Sequence, residues 1–240
     1  MDLKIKDVAE LLNVSETTIR RWLLDGKIPA YKLNRQYRFS RIEIENWMMK
    51  QKLNLAEGTK EILATGEEQI YPVEKGAPAK AGNQQFSLYR AINRGGVYQN
   101  VSGKTKNEVI CNTMPLIAEK MRLDPDVLAE LLLDRERLMP TAFNNGIAVP
   151  HARECLQHVP FDLVSVVFLQ EPIEYGALDQ KPVDILFFLF ATGDKIHLHL
   201  LAKIAHLSSD EEILKFLRTH PEKNALLEKV REWESTLNIG

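Results

Sequence analysis

The residues with the clearest capacity for chemistry surround His151, which directly follows Pro150. Proline restricts its own φ and holds the preceding residue extended, so this histidine is presented from a stiff segment. Gly146 and the small Ala148 permit close backbone approach, and Arg153 supplies a permanent cation for an incoming anion. An imidazole has an unperturbed pKa of about 6.5, so much of it is neutral and nucleophilic near pH 7. The pattern indicates an imidazole that is held in place beside a cation suited to an incoming anion.

A second histidine, His197, is assigned to the interior by periodicity. On a helix that starts near Lys195, it belongs to an apolar stripe with Leu200, Leu201 and Ile204. The opposite, wet face carries His199, Lys203, His206 and Asp210. Residues two apart do not share a helix face, which argues against a metal pair of His197 with His199. Taken alone, this periodicity favours an ordinary buried core histidine over a functional one.

Charge divides the 240-residue chain into a basic head and an acidic body. Residues 1–53 carry 11 Lys and Arg against 7 Asp and Glu, whereas residues 98–240 carry 15 against 21. The net charge of −2 for the whole chain conceals this difference between the two regions. The asymmetry predicts two domains with different partners.

Composition excludes several classes of protein. A hydrophobic fraction of 45% is too high for a disordered chain, and Cys111 with Cys155 cannot form a disulfide framework and shows no metal-ligand spacing. The longest apolar run, residues 185–191, is far shorter than the ~20 residues that span a bilayer. The first residues alternate in charge, unlike a signal peptide. We expect a cytoplasmic protein without membrane insertion, in a reducing compartment.

The head has the pattern of two helices, a hairpin and a third helix. Ser15 is placed as the N-cap of the second helix, which Gly26 ends. A hairpin over residues 30–39 turns near Asn34-Arg35, and Ser40 with Glu43 fits a capping box that opens the third helix. The stretch 54–85 is interpreted as a linker with a helical start near residues 60–64.

Residues 86–240 have the pattern of a mixed α/β domain. Strands over 163–169 and 183–190 lack clean alternation, which predicts burial on both faces. Helices are predicted over 105–121, 124–137, 196–207, 210–219 and 221–237. The expected fold class is α/β: a small winged helix–turn–helix, then a sandwich with a mixed sheet covered by helices on both faces.

The second helix of the head predicts a surface that contacts DNA. If Ile19, Trp22 and Leu23 face the core, its outer side offers donors to a major groove. The hairpin adds donors suited to phosphate or minor-groove contact. The candidate DNA-binding residues are Ser15, Glu16, Thr17, Arg20, Arg21, Lys32, Asn34, Arg35, Gln36 and Arg38. This pattern alone supports equally well a basic surface that is merely solvated, on a small structural domain.

Residues 1–50 resemble a known family of DNA-binding domains. They contain N-V-S-E-T-T-I-R-R-W and D-G-K-I-P-A-Y-K-L-N-R-Q-Y-R-F-S, which are similar to the excisionase family of winged helix–turn–helix domains, related to the MerR type. Lys4 departs from the Thr or Ser that often caps the first helix there, a cap worth ~1 kcal/mol. The resemblance implies binding to double-stranded DNA. One copy neutralises few phosphates, so we expect a homodimer.

Residues 86–240 resemble the fructose- and nitrogen-type enzyme IIA domains of the bacterial sugar phosphotransferase system. The similar stretches are, in order, F-S-L-Y-R-A-I-N-R-G-G-V-Y-Q-N-V, L-L-L-D-R-E-R-L-M-P-T-A-F-N-N-G-I-A-V-P-H-A-R, Y-G-A-L-D-Q-K-P-V-D-I-L-F-F-L-F and H-L-H-L-L-A-K-I-A. The resemblance implies that His151 accepts a phosphoryl group, with His197 beside it and Arg153 nearby. Thr141 is a further candidate donor to the phosphoryl oxygens. Ala152, where glycine is frequent, is a small departure.

The expected donor follows from the same resemblance. The resemblance implies the phosphorylated carrier protein HPr or its nitrogen-branch relative. The sequence shows no Walker loop or kinase loop, so a nucleotide is not the expected donor. We expect no metal and no cofactor, and a phosphohistidine carrier rather than a turnover enzyme.

The main hypothesis is a DNA-binding regulator controlled by histidine phosphorylation. Its domains are residues 1–53, a linker over 54–85, and residues 86–240. The alternatives are a transport relay that passes phosphate to an enzyme IIB or permease, and a binding module that is never phosphorylated.

Overall fold

The computed structural model describes residues 2–12, 14–33, 36–56, 86–153, 155–156, 159, 161–177 and 179–237. The chain separates into two compact units, one within residues 1–82 and the other within residues 83–239. The expected helical start at residues 60–64 and most of the expected linker lie outside the described residues. Each unit is described by itself.

The described residues of the first unit form a three-stranded antiparallel sheet and three helices. In chain order its elements are β1 (Asp2–Leu3), α1 (Ile5–Leu12), α2 (Glu16–Leu24), β2 (Tyr31–Leu33), β3 (Gln36–Ser40) and α3 (Arg41–Ala56). The strands lie in the order β1-β3-β2, and Tyr31 pairs with Arg38 across the hairpin. The core is formed by the buried side chains of Val8, Ile19, Phe39 and Ile44.

Local signals place the ends of α2 where the sequence predicts them. The Ser15 hydroxyl accepts a hydrogen bond from the Thr18 N–H at 3.1 Å, which satisfies one unpaired donor of the first turn. After Leu24 the chain turns through Gly26 at φ +66°, a left-handed conformation that glycine adopts without steric cost. At the start of α1 the side chain inside the helix is the acceptor: the backbone N–H of Lys4, which precedes the helix, donates to Asp7 Oδ2 at 3.0 Å.

Helix α3 is longer than expected. It continues to Ala56, whereas the sequence places the start of the linker at Asn54. The predicted domain boundary at residue 53 therefore falls inside the last turn of this helix.

The second unit is built around a four-stranded mixed sheet flanked by helices. Its elements are α4 (Ser87–Gly95), β4 (Val97–Val101), α5 (Lys106–Met121), α6 (Pro125–Leu138), β5 (Ile147–Ala148), β6 (Leu163–Ile173), β7 (Val183–Phe190), α7 (Asp194–Leu207), α8 (Glu211–Leu217) and α9 (Lys223–Thr236). The strand order is β4-β6-β7-β5. The outer pairs β4–β6 and β5–β7 are parallel, and the central β6–β7 pair is antiparallel.

The two central strands form the middle of the core. All residues from Leu163 to Leu169 are buried, and Phe187 and Phe188 on β7 are fully buried on opposite faces. Full burial of such a side chain stabilises the fold by roughly 1.5–3 kcal/mol. The absence of alternation in the sequence thus reflects a sheet that is covered on both sides.

Helix α4 was not predicted because its cap comes from the far end of the chain. Phe86 precedes it with a left-handed backbone and provides no side-chain cap. Instead the N–H groups of Leu88 and Tyr89 donate to the carboxylate of Glu234, which lies on α9. Strands β4 and β5 were also not predicted; β4 is half-buried and β5 has two residues. Among the described residues, no helix is both long and apolar enough to cross a membrane.

Candidate functional site

Backbone hydrogen bonds hold the segment before His151 against strand β7. The Val149 N–H donates to the Thr141 carbonyl at 3.0 Å, which closes residues 141–149 into a loop. The Leu189 N–H donates to the Pro150 carbonyl at 3.0 Å, and His151 forms a parallel bridge with Leu189. The histidine therefore stands beside the central sheet on a segment whose backbone is fixed on two sides.

The turn inside this loop requires glycine at residue 146. Gly146 has φ +78°, and a Cβ there would lie 3.0 Å from Asp184 Oδ1. Its carbonyl accepts the N–H groups of Asp184 and Ile185 at 3.1 and 3.2 Å, which joins the turn to the start of β7. Asn145, also left-handed at φ +67°, donates its N–H to Asp179 Oδ2. A side chain at residue 146 would strain this connection.

The hydrogen bond of the His151 ring defines its tautomer. Nδ1 lies 2.7 Å from the Val149 carbonyl oxygen. Because a carbonyl oxygen only accepts, Nδ1 must be the protonated nitrogen. In the neutral imidazole the lone pair is then on Nε2, which is the nitrogen able to act as a nucleophile.

The second histidine lies beside the first. The rings of His151 and His197 have centroids 5.0 Å apart and planes inclined by 64°, an edge-to-face arrangement. His197 is buried on α7 with Leu200, Leu201 and Ile204, on the inward face that periodicity predicts. Its neighbour His199 is half-buried and meets the Ser87 hydroxyl at 3.0 Å instead. Two imidazoles thus share one location, although they come from segments 46 residues apart in the chain.

The other two candidates near this site have different environments. Arg153 is exposed to solvent. Thr141 is fully buried, and its hydroxyl donates to the carboxylate of Glu136 in a short hydrogen bond. In this arrangement the Thr141 hydroxyl proton is engaged by Glu136 rather than directed at a bound phosphoryl group.

Glu136 was not among the residues predicted from the sequence. It is buried on α6, and Oε2 accepts the Thr141 N–H while Oε1 accepts the Tyr175 hydroxyl, each at 3.1 Å. Burial, followed by the charge of this carboxylate, raises the pKa of the Tyr175 hydroxyl well above its usual value. The signal was present: Glu136 lies on the same helix face as Leu128, Ala129 and Leu132, where a charged residue needs partners.

The first unit presents the expected basic face. Glu16, Thr17, Arg20 and Arg21 are exposed on α2, whereas Ile19 is buried. Trp22 is half-buried and packs against Trp47 with ring centroids 5.7 Å apart. Arg20 pairs with Glu16 at 3.3 Å, a solvent-exposed pair of small energetic value. The Ser15 hydroxyl is engaged in the helix cap.

The hairpin adds further cationic and amide groups. Lys32 is exposed and lies over the Tyr37 ring, 5.0 Å from its centroid. Arg38 donates to Gln36 Oε1 at 2.8 Å and to the Tyr37 carbonyl at 3.1 Å. The remaining two candidates, Asn34 and Arg35, lie outside the described residues.

A cleft of about 450 Å³ joins α1, α2 and the hairpin. Its lining residues are Lys4, Ile5, Lys6, Glu16, Arg20, Gln36, Tyr37 and Arg38. The described lining thus combines four cations with one carboxylate, which favours an anionic ligand. Lys4 and Lys6 were not among the predicted contacts, because their position beside α2 and the hairpin arises only on folding.

Comparison with known proteins identifies both parts of the chain. The family model described as "Phosphoenolpyruvate-dependent sugar phosphotransferase system, EIIA 2" matches residues 91–233, and a helix-turn-helix domain model matches residues 3–52. A nitrogen regulatory protein of Escherichia coli K12 is 33% identical over 154 residues, covering 63% of this chain and 93% of that protein. One from Pseudomonas aeruginosa is 34% identical over 146 residues, covering 60% and 94%.

A solved structure supports the fold of the second unit. A protein described as a PTS IIA domain from Streptococcus pyogenes has a TM-score of 0.51 at 22% identity, covering 60% of this chain and 94% of its own. Its likeness concerns the fold alone. Both resemblances drawn from the sequence are confirmed by the family models. The chain therefore belongs to the EIIA 2 family of the phosphoenolpyruvate-dependent sugar phosphotransferase system and carries an N-terminal helix-turn-helix domain.

Proposed function

We propose that this protein is a DNA-binding regulator whose EIIA domain accepts a phosphoryl group on His151 from a phosphorylated carrier of the HPr type. The observation that carries the proposal is the 2.7 Å contact of His151 Nδ1 with the Val149 carbonyl oxygen. It leaves the lone pair of the neutral ring on Nε2, next to the ring of His197.

The transfer needs positioning and charge stabilisation more than covalent help from the protein. The Nε2 lone pair forms a bond to phosphorus, and the bond between phosphorus and the carrier breaks with its electron pair returning to the carrier. The Nδ1 proton stays on the ring and keeps its hydrogen bond to Val149. His197 and Arg153 supply donors to the phosphoryl oxygens during transfer.

DNA binding by the first unit is supported by its exposed cations. Arg20 and Arg21 lie on the outer side of α2, and the cleft beside it contributes Lys4 and Lys6. These groups suit phosphate contacts, which position a protein on DNA, while α2 reads base edges. A unit of this size covers few phosphates, so binding as a homodimer in the cytoplasm completes the proposal.

Phosphorylation provides the regulatory step. A phosphoryl group adds a charge of roughly −2, which changes how the protein interacts with DNA or with a partner. We propose that the phosphorylated and unphosphorylated forms differ in DNA affinity at one fixed salt concentration.

The test of the acceptor uses phosphorylated HPr and the full chain. We expect acid-labile label on the wild-type protein and none on His151→Ala, because the nucleophile is absent. His158→Ala is the control: it removes a histidine that is not proposed to take part in transfer, and we expect labelling to remain intact. Label retained by His151→Ala would overturn the assignment.

Two further outcomes test the alternative functions. Transfer of label from the wild-type protein to an added enzyme IIB would favour a transport relay. A protein that never takes up label but binds DNA would be a binding module only.

A further inference from the structure

A buried polar cluster lies next to the loop that presents His151. The Glu136 carboxylate has the ammonium of Lys106 4.0 Å from Oε2 as its countercharge. Three donors of the described residues converge on it: the Thr141 N–H at 3.1 Å, the Thr141 hydroxyl, and the Tyr175 hydroxyl at 3.1 Å. A fully satisfied buried carboxylate of this kind holds its partners rigidly. Glu136 therefore fixes Thr141 through both its backbone and its side chain.

Hydrogen bonds continue from Thr141 to the imidazole. The Thr141 carbonyl accepts the Val149 N–H at 3.0 Å, and the Val149 carbonyl accepts from His151 Nδ1 at 2.7 Å. Each residue of this series is held by the one before it. The position of the Val149 carbonyl, which keeps the proton on Nδ1, thus depends on the carboxylate of Glu136.

We propose that Glu136 is a positioning residue that selects the reactive tautomer of His151. The inference rests on the proposed function, since it assigns a purpose to Nε2 as the nucleophile. If the Val149 carbonyl shifts, the neutral ring can place its proton on Nε2, where it blocks attack on phosphorus. Glutamine cannot replace the glutamate, because a carboxamide has one acceptor oxygen for three donors and turns an N–H₂ group toward them.

The experiment compares Glu136→Gln with the wild type in the full chain. Ring ¹⁵N shifts of His151, measured above the pKa of the imidazole, report the tautomer directly. We expect predominant Nδ1–H in the wild type and a mixture of tautomers in Glu136→Gln. We expect phosphoryl transfer from phosphorylated HPr to slow at least roughly tenfold, since small misplacement of a reacting group is costly.

Glu234→Gln is the matched control. Glu234 is also a fully buried carboxylate that accepts two backbone N–H groups, those of Leu88 and Tyr89, and it pairs with Lys203. We expect Glu234→Gln to lower the stability of the fold about as much as Glu136→Gln does, while the His151 tautomer stays unchanged. If Glu136→Gln does not fold, Thr141→Val provides the same test, because it removes the hydroxyl that Glu136 binds and keeps the side-chain volume.

The outcomes separate the two proposals. An unchanged tautomer in the folded Glu136 or Thr141 variant overturns the positioning role, and so does an equal tautomer shift in Glu234→Gln. The two results can also disagree. If the tautomer shifts in Glu136→Gln but the wild-type protein never takes up phosphate, the positioning role is supported and the acceptor function is refuted.

Discussion

The two units assemble their candidate functional groups in different ways. In the first unit Arg20 and Arg21 point to solvent from a helix whose ends are set by local signals. In the second unit the rings of His151 and His197 come together from different segments of the chain, with centroids 5.0 Å apart. A surface that binds a polyanion needs accessible charge, whereas a nucleophile needs a defined tautomer and fixed neighbours. The difference shows that periodicity can identify a charged face but not the groups from distant segments that meet an imidazole.

The strongest test of this contrast is at the second imidazole. We expect His197→Ala to slow transfer onto His151 by roughly 100-fold, because one preorganised donor to the developing charge is lost. Single-turnover labelling with phosphorylated HPr measures the rate. DNA binding by the unphosphorylated variant should equal that of the wild type. Wild-type transfer rates would assign His197 to packing alone.

The turn in the loop that precedes His151 can be tested by substitution of Gly146. Gly146→Ala should cost about 1–3 kcal/mol, because alanine resists a left-handed backbone and its Cβ would meet Asp184 Oδ1 at 3.0 Å. Hydrogen exchange at the Asp184 and Ile185 amides, which donate to the Gly146 carbonyl, should become faster. Gly193→Ala is the control, because nothing lies within 4 Å of a Cβ there. Equal exchange rates at these two amides in Gly146→Ala and Gly193→Ala would contradict the expectation that a side chain at residue 146 strains the turn.

Removal of exposed cations from α2 tests the proposed DNA surface. Arg20→Ala and Arg21→Ala should each weaken binding to duplex DNA and lower the salt slope by about one, if each neutralises one phosphate. Titrations at several salt concentrations supply the slope. Lys181→Ala, an exposed lysine of the second unit, controls for the change in net charge. If random duplex fails to bind at low salt even with the wild type, the head is a protein-interaction domain.

The smallest expected effect concerns the cleft. Lys4→Ala and Lys6→Ala should reduce the salt slope of DNA binding without changing preference among DNA sequences, because contacts to phosphate carry no base information. Competition between unrelated duplexes distinguishes the two effects. A change of sequence preference would show that α1 contributes to base readout.

Much of the fold was predictable because its signals are local. Thr105, Asp124 and Asp210 each accept backbone N–H groups at the helix starts the sequence indicates. Strand β7 has the predicted limits. By contrast, α4 depends on Glu234, about 146 residues away, for its cap, and a two-residue strand such as β5 leaves no periodic signal.

The candidate site divides in the same way. The inward position of His197 follows from helix periodicity, because residues three and four apart share a face. The sequence did not predict the engagement of the Thr141 hydroxyl by Glu136 or the presence of Lys4 and Lys6 in the cleft. Each depends on which segments meet after folding.

The sequence by itself determined the order of the two domains, the family of each, most helix limits and the residues able to do chemistry. These properties depend on hydrophobic period, capping residues and short motifs, which act between neighbours in the chain. Only the tertiary structure decided that Nδ1 of His151 meets the Val149 carbonyl and that Thr141 is bound by Glu136. Hydrogen bonds between distant segments are specified by the packing that brings them together, so no local pattern in the chain encodes them.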